Sequence, residues 1–473
     1  MAKDHPLDLG VTREAALARA AQIVERAWQE FDHPRPSEPQ QSAELTELLQ
    51  RALPAAGMDA VAGIDFVADV LDNSWAQSRP RYLAFIGASG LEVGVLADML
   101  VAAYDVNVCV DSKAANRVEE QALRWLGEYL GYPVDGGSFT SGGQVSNLTA
   151  LAAARERMFP GTRRTGMNGV RAAVYVSDEA HYSVRRAVEV LGLGSDSIRS
   201  IPIDSQRRMN VDALRERIAV DLAARVRPMA IVATGGTTLT GAVDPINALA
   251  DIAADHGMWL HVDGAYGLPA AGTTQARALF AGLERADSLS IDAHKWLFVP
   301  KACSAVLMKD HTPLARAFSH NEAYMPHEDG ALNPVDMTLE YSRPARAVKL
   351  WLAFLVYGAD RMREAVAQHL ELAQLMYSLG QADPEFETLP NSPQLSIAPL
   401  RHVLPGCPDI NAHNMALTFA MQRDGRVFIS PGQIDATTYL RPCFVNYRTD
   451  ESDVRAVIDV AKEIGRSICP AHE

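Results

Sequence analysis

The spacing of apolar positions changes character along this chain and divides it into three parts. From Thr12 to about Ser78 the period is helical, as in Arg13-Glu-Ala-Ala-Leu-Ala-Arg-Ala-Ala-Gln-Ile-Val-Glu-Arg-Ala-Trp28. The breaker-rich stretch Asp32–Pro39 separates two helices there. Between about Leu96 and Lys309, short apolar runs alternate with helical segments, and Tyr175, Ile201, Ile231, Leu260, Leu289 and Val306 each mark a strand. Alternation at this spacing predicts an α/β fold, with a mainly parallel sheet covered by helices on both faces. A helix around Ala345–Val356 closes this part. Beyond it a helix over Met362–Ala382 leads to strand-like runs at Gln394–Ile397, Ala416–Phe419, Gly425–Ile429 and Tyr439–Val445, and then to a helix over Glu451–Ile468. Strands grouped in this way predict a small C-terminal α+β domain. The expected division is an N-terminal helical arm over 1–78, a large α/β domain over 79–356 and the small domain over 357–473.

Sheets of this kind bind ligands beyond the carboxyl ends of their strands, and the polar residues stand there. The run Ser288-Leu-Ser-Ile-Asp-Ala-His-Lys-Trp296 is a short apolar strand followed by Asp292, His294 and Lys295. A lysine half buried at such a place has a lowered pKa and a nucleophilic amine fraction. Trp259-Leu-His-Val-Asp-Gly-Ala-Tyr-Gly267 is a second strand, ending in Asp263. Ile231–Thr238 runs into a glycine and hydroxyl turn. Phe139-Thr-Ser-Gly-Gly-Gln-Val-Ser-Asn147 opens directly onto a helix from Leu148 to Arg157.

Together these parts meet the needs of pyridoxal 5'-phosphate. At the loop-to-helix junction of Thr140, Ser141, Gly142 and Gly143, backbone N–H groups and the helix dipole favour a phosphate; the alternative is a hydroxyl that merely caps the helix. Asp263 is placed to keep a pyridine nitrogen protonated, and so to make the ring an electron sink; a plain strand-end turn is its other reading. Ala265 is small enough to pack under the ring. His181, in Ser177-Asp-Glu-Ala-His-Tyr-Ser-Val184, follows a strand at Ala172–Val176 and can stack on the opposite ring face. No nucleotide-type phosphate loop and no G-x-G-x-x-G after a strand is present.

The segments T-S-G-G-x-x-S-N, S-D-E-A-H-Y-S, A-T-G-G-T-T-x-x-G-x-x-D-P, H-V-D-G-A-Y-G and D-A-H-K-W, in this order, resemble the group II pyridoxal-phosphate-dependent amino acid decarboxylases. Weaker echoes run from about Arg79 to Thr449. The resemblance implies a type I fold and decarboxylation of an α-amino acid. It implies that Lys295 forms the internal Schiff base, that Asp263 pairs with the ring nitrogen, and that His181 stacks on the ring. By the same resemblance Thr234 or Thr237 lies near the cofactor's phenolic or carboxyl-side oxygens, Ser141, Gly142 and His294, with Asp292, line the phosphate, and Arg346 lies near the active site. Relatives often carry two adjacent arginines there, whereas here Arg343 is followed by Pro344. The family's loop tyrosine, which returns a proton to the α-carbon, has only Tyr324 as its counterpart, in a shorter stretch that also offers His320 and His327. A homodimer with interlocked arms and shared active sites is implied as well. A Cα–Cβ lyase or an aldehyde-forming decarboxylating enzyme of the same fold is the alternative; a non-catalytic cofactor- or nucleotide-binding protein is another, against which Lys295 and Asp263 both count.

Composition narrows the partners. The net charge of −14 disfavours nucleic acid and anionic membrane. The five cysteines, Cys109, Cys303, Cys407, Cys443 and Cys469, are scattered without metal or disulfide spacing, and the histidines show no ligand pattern, so no metal is expected. No signal pattern opens the chain and no long apolar run occurs, which gives a cytoplasmic expectation. For the substrate, Tyr82 and Phe85 suit a flat aromatic side chain, while Arg81 would suit an acidic one. The lean is towards aromatic.

Overall fold

The computed structural model describes residues 7–109, 111–320 and 333–469. Its centre is a seven-stranded sheet: β1 Gly136–Thr140, β2 Ala172–Ser177, β3 Ile198–Ile201, β4 Arg227–Thr234, β5 Trp259–Asp263, β6 Ser288–Ile291 and β7 Ser304–Met308. The spatial order is β1-β7-β6-β5-β4-β2-β3. All six strands expected from the apolar runs are present. The seventh, β1, contains Gly136 and Gly137 and lacks the apolar run that marked the others. Pairing is parallel except at β7, which runs against both β1 and β6.

Both faces of the sheet are buried, and side chains alternate between two cores. Ala173 and Tyr175 of β2, Ile231 and Ala233 of β4, and Ala305 and Leu307 of β7 enter one; Val174, Val176, Ala230, Val232, Val306 and Met308 enter the other. Period two with apolar residues at every position is what a sheet clad by helices requires.

The small sheet has four antiparallel strands, β8 Phe386–Thr388, β9 Leu400–His402, β10 Ser430–Ile434 and β11 Thr437–Arg441, in the order β10-β11-β9-β8. Here the sequence reading needs correction. Ala416–Phe419 is not a strand but lies inside the helix Ile410–Asp424, which Asp409 caps at its start and Gly425 ends in a left-handed conformation. His413, Leu417 and Met421, four apart, form its buried stripe. Gln394–Ile397 contributes only an isolated bridge from Ile397 to Cys443. Gly425–Ile429 precedes β10, although Phe428 bridges to Tyr82. Tyr439–Val445 overlaps β11.

The two helices expected around residues 345–382 are one helical run, Ala347–Ala382, broken by Gly358 at φ 73°. At the other end of the chain, helices Arg13–Phe31 and Ala60–Asp72 are tied by the ion pairs Arg19–Asp65 and Arg26–Asp72. Leu17, Val67 and Leu71 on these helices stay exposed, as do Leu96, Met99, Leu100 and Tyr104 on helix Glu92–Tyr104. Among the described residues, no helix is long and apolar enough to cross a membrane.

Candidate active site

The candidate residues converge where β4, β5 and β6 end side by side. Thr234, the last residue of β4, sits opposite Asp263, the last of β5, and Asp263 sits opposite Ser290 of β6. After β6 the chain passes Asp292 into a single helical turn, Ala293–Trp296, which carries Lys295. The Lys295 Nζ lies 2.9 Å from Asp292 Oδ2, and its side chain is 26% exposed, so the amine is held yet reachable. Burial, the largest single influence, works to lower the pKa of this amine, but the charge and hydrogen bond of Asp292 together with the Asp263 charge raise it above the ordinary lysine value. The expectation of a lowered pKa is therefore corrected for the chain by itself; the half-buried strand end carries its own counter-ion.

Asp292 is fully engaged. Burial pushes its carboxyl up, while Lys295 and His294 pull it below the usual range, and Ser304 Oγ donates to it. Its carboxylate holds Lys295 and also stands against Gly143 at the start of the following helix. The turn is also held from behind. Trp296 Nε1 donates to His369 Nδ1 (3.0 Å), and His369 Nε2 donates to the Asn446 carbonyl (3.0 Å).

Asp263 sits in different company. Its carboxylate accepts from Asn147 Nδ2 (2.9 Å), Ser290 Oγ (3.1 Å) and the Ala265 N–H (3.2 Å). Behind it runs a buried chain of neutral groups. The Asn147 Oδ1 faces His261 Nε2 (2.9 Å), His261 Nδ1 faces Ser288 Oγ (2.8 Å), and Trp259 Nε1 donates to that same oxygen (2.9 Å). Trp259 can only donate and a carboxylate can only accept, so every proton along the chain points towards Asp263. His261 is thereby fixed as the Nε2–H tautomer, and burial lowers its pKa to about 4.

The anion end is the start of helix Gly143–Met158. Gly142 occupies the cap position and no side chain caps the helix. The Thr140 hydroxyl is turned away, bonded to Ser146 Oγ at 2.7 Å and to the Gly142 carbonyl. Ser141 and Gly142 are half buried, and His294, held by the Cys303 backbone, lies beside Gly142. Gly143 is closely enclosed: a Cβ there would lie 3.0 Å from Ala265 Cβ and 3.1 Å from Asp292 Oδ1. This close approach joins the anion end to the lysine and ring ends.

Two candidates separate. Thr234 Oγ1 is buried without a hydrogen-bond partner, whereas the Thr237 hydroxyl is consumed by its own turn, through Thr240 Oγ1 (2.9 Å) and the Ala242 N–H (3.1 Å). The orphaned Thr234 hydroxyl is the one available to a ligand. His181 Nδ1 accepts from the Ser183 N–H (3.3 Å), which caps helix Tyr182–Val190 and orients the ring. Burial lowers the His181 pKa, and Asp263, Lys295 and Asp292 are its charged neighbours. The orphaned hydroxyl, the uncapped helix start, the reachable lysine and a carboxylate fed by neutral donors all fit pyridoxal 5'-phosphate.

Residues 64–397 match the family model described as the pyridoxal-dependent decarboxylase conserved domain. The chain belongs to that family. It is 32% identical over 436 residues to an aromatic-L-amino-acid decarboxylase of Bacillus atrophaeus, covering 90% of this chain and 89% of the relative. It is 30% identical to an L-2,4-diaminobutyrate decarboxylase of Rhizobium meliloti, covering 89% and 85%. Its fold matches the crystal structure of Oryza sativa TDC with PLP and tryptamine, with a TM-score of 0.90 at 23% identity over 99% of this chain and all of that one. The chain is thus a pyridoxal-phosphate-dependent amino acid decarboxylase of type I fold.

Other expected residues of this decarboxylase fall in varied places. Tyr324 and His327 lie outside the described residues. His320 is exposed, and its N–H donates to Asp336. Arg346 forms a bidentate pair with Glu340 (2.9 and 3.0 Å). Arg343 is buried and paired to Glu119 (2.7 and 2.9 Å), and Glu119 also accepts from the Phe139 N–H at 3.2 Å, so this arginine braces β1. Tyr82 is buried against Phe428, ring centroids 4.8 Å apart. Phe85 is exposed, and Arg81 is taken up by Asp453 at 2.8 Å. Sequence reasoning gave no role to Asn147, His261 or Ser288. The signal was present for His261, which shares a strand face with Asp263 two residues on.

Proposed function

We propose that this enzyme decarboxylates an aromatic L-amino acid to the amine and carbon dioxide, as a homodimer in the cytoplasm. The observation that carries the chemistry is the juxtaposition of Lys295, held but reachable, with Asp263, whose described hydrogen-bond donors are all neutral. Bound between them, pyridoxal phosphate supplies an electron sink for the pair released when the bond to the carboxylate breaks. Lys295 would hold the cofactor covalently and yield its place to the substrate amine. Asp263, oriented by Asn147, would hold the proton on the ring nitrogen. His181 would press the ring from one face and Ala265 from the other, while the start of helix Gly143–Met158, with Ser141, Gly142 and His294, holds the phosphate. Choice among reactions then rests on which substrate bond the site holds perpendicular to the ring.

The aromatic preference is supported by the Bacillus relative and by Arg81. That arginine is bound to Asp453, so the segment that carries Phe85 offers no spare cation from it to an acidic substrate. The dimer is supported by the exposed apolar side chains on the N-terminal helices and on Glu92–Tyr104, which a second copy would bury. Five unpaired cysteines suit a reducing compartment.

The test is a panel of amino acids assayed for carbon dioxide, amine and aldehyde. Equimolar amine and carbon dioxide from aromatic substrates are expected. Aldehyde in place of amine would overturn the reading, since phenylacetaldehyde synthase of Arabidopsis thaliana is also a relative, 28% identical over 88% of this chain and 89% of its own. Arg81→Gln should leave the order of substrates unchanged. Sedimentation should give a dimer, and Leu100→Glu should weaken it.

A further inference from the structure

Cys407, His413 and Cys469 meet near the end of β9 in the small C-terminal sheet. Cys407 lies just before the helix Ile410–Asp424, His413 stands in its first turn, and Cys469 ends the helix Glu451–Ile468. One ligand-type atom from each lies within 4.8 Å of the other two. His413 is buried, and both cysteines are partly buried free thiols.

A second observation concerns the histidine. His402, the last residue of β9, presents Nδ1 to His413 Nε2 at 2.9 Å and Nε2 to Glu385 Oε2 at 3.3 Å. Glu385 accepts, so His402 carries its proton on Nε2, and its Nδ1 is a lone pair. His413 must therefore donate from Nε2, which leaves Nδ1 of His413 as a lone pair. A carboxylate that orients one imidazole through another is the kind of outer support that metal-ligating histidines receive. The arrangement is rigid. The His402 N–H and carbonyl are both bonded to Asn414, on the helix that carries His413 (2.8 Å each). Glycine at position 465 makes room for the His402 ring, because a Cβ there would lie 2.5 Å from its Nδ1.

We propose that Cys407, Cys469 and His413 form a binding site for a thiophilic divalent cation, zinc foremost. At zinc–sulfur and zinc–nitrogen distances of about 2.3 and 2.0 Å, a tetrahedral site needs its ligand atoms roughly 3.6–3.8 Å apart. Because the ligand atoms all lie within 4.8 Å of one another, side-chain movements of about 1 Å would bring them to this spacing. Binding releases the two thiol protons and needs no electron donor or acceptor. The fourth position falls to water. The metal would clasp the end of helix Glu451–Ile468 to the start of helix Ile410–Asp424, a structural role separate from the chemistry at Lys295. Spacings of six and fifty-six residues between successive ligands hid the cluster from any motif search.

The full-length holoenzyme, reduced and freed of metal, is titrated with Zn²⁺ and, as a spectroscopic probe, Co²⁺. One equivalent should bind, with a near-ultraviolet thiolate-to-cobalt absorption band and a rise in Tm on adding zinc. Cys407→Ser, Cys469→Ser and His413→Gln should each weaken binding by about a hundredfold or more, and His402→Gln by about tenfold. Absence of the band in the wild type would overturn the proposal. So would zinc binding that all three ligand variants retain, which means a site elsewhere. A Cys407–Cys469 disulfide, found by mass in aerobic protein and formed equally fast with zinc present, would overturn it in favour of a redox pair.

Discussion

Asp263 ends β5 and Asp292 directly follows its parallel neighbour β6; both are buried, and they are prepared for opposite duties. Asp292 is neutralised from within, by the Lys295 ammonium 2.9 Å away. Among the described residues Asp263 has no such ion pair; it accepts from an amide, a hydroxyl and a backbone N–H, with a relay of neutral groups behind. A buried carboxylate supplied only with neutral donors is suited to a cation from outside the chain, whereas one already paired positions its partner. The comparison thus separates the carboxylate proposed to work on the cofactor from the one that holds the lysine, which strand-end position alone did not.

The largest effect belongs to the lysine side. Lys295→Ala should abolish turnover, and borohydride should no longer fix a pyridoxyl group in the peptide containing residue 295. A label found on another lysine would remove the basis of the comparison.

On the other side, Asp263→Asn keeps the shape and loses the charge. Turnover should fall by about two to four powers of ten, roughly 3–5 kcal/mol of transition-state stabilisation, with a smaller change in KM. Near-normal turnover would reduce Asp263 to a turn cap.

Acid should act through the neutral relay and the brace behind Lys295. Burial lowers both His261 and His369 to about 4, below the ordinary 6.5 that each regains on unfolding. Between those values the unfolded chain binds more protons than the native one. Their contribution is therefore present above pH 6.5 and lost as pH falls towards 4, by up to about 3 kcal/mol each. Calorimetry should show Tm falling across that window, and a flat Tm would mean that neither histidine is held neutral in the fold.

The sharpest probe is the smallest. Asn147→Ala removes one donor from Asp263 and disconnects His261. Turnover should drop about tenfold in the wild-type background and by much less on top of Asp263→Asn, because the amide acts through the carboxylate. Equal losses in both backgrounds would show that Asn147 matters only for packing.

The large sheet was legible because its strands are buried on both faces, so each reads as a short unbroken apolar run between turn signals. β1 escaped because glycine occupies its first two positions. In the small domain the sheet is antiparallel, its strands are three to five residues long, and the apolar run at Ala416 belongs to a helix whose stripe includes the polar His413 and Thr418. At the site, residue identity pointed to Lys295, Asp263 and His181, but which groups were already engaged was invisible. Thr237 and Arg81 looked as available as Thr234 and Phe85 until their partners were seen. The pKa direction of Lys295 was misjudged for the same reason, since Asp292 lies within hydrogen-bonding reach only once the chain turns.

The contact behind Lys295 bears on how this enzyme can be engineered. Trp296 belongs to the turn that carries the lysine, His369 to the long broken helix, and Asn446 to the segment after β11; the Asn446 side chain reaches further, to the carbonyls of Gln77 and Arg79. A graft exchanging the C-terminal region with that of a relative would cut this line between Trp296 and His369. Modular recombination at that seam should therefore succeed only when the tryptophan, the histidine and the asparagine travel together, and a chain produced without His369 and Asn446 would present its lysine on an unsupported turn.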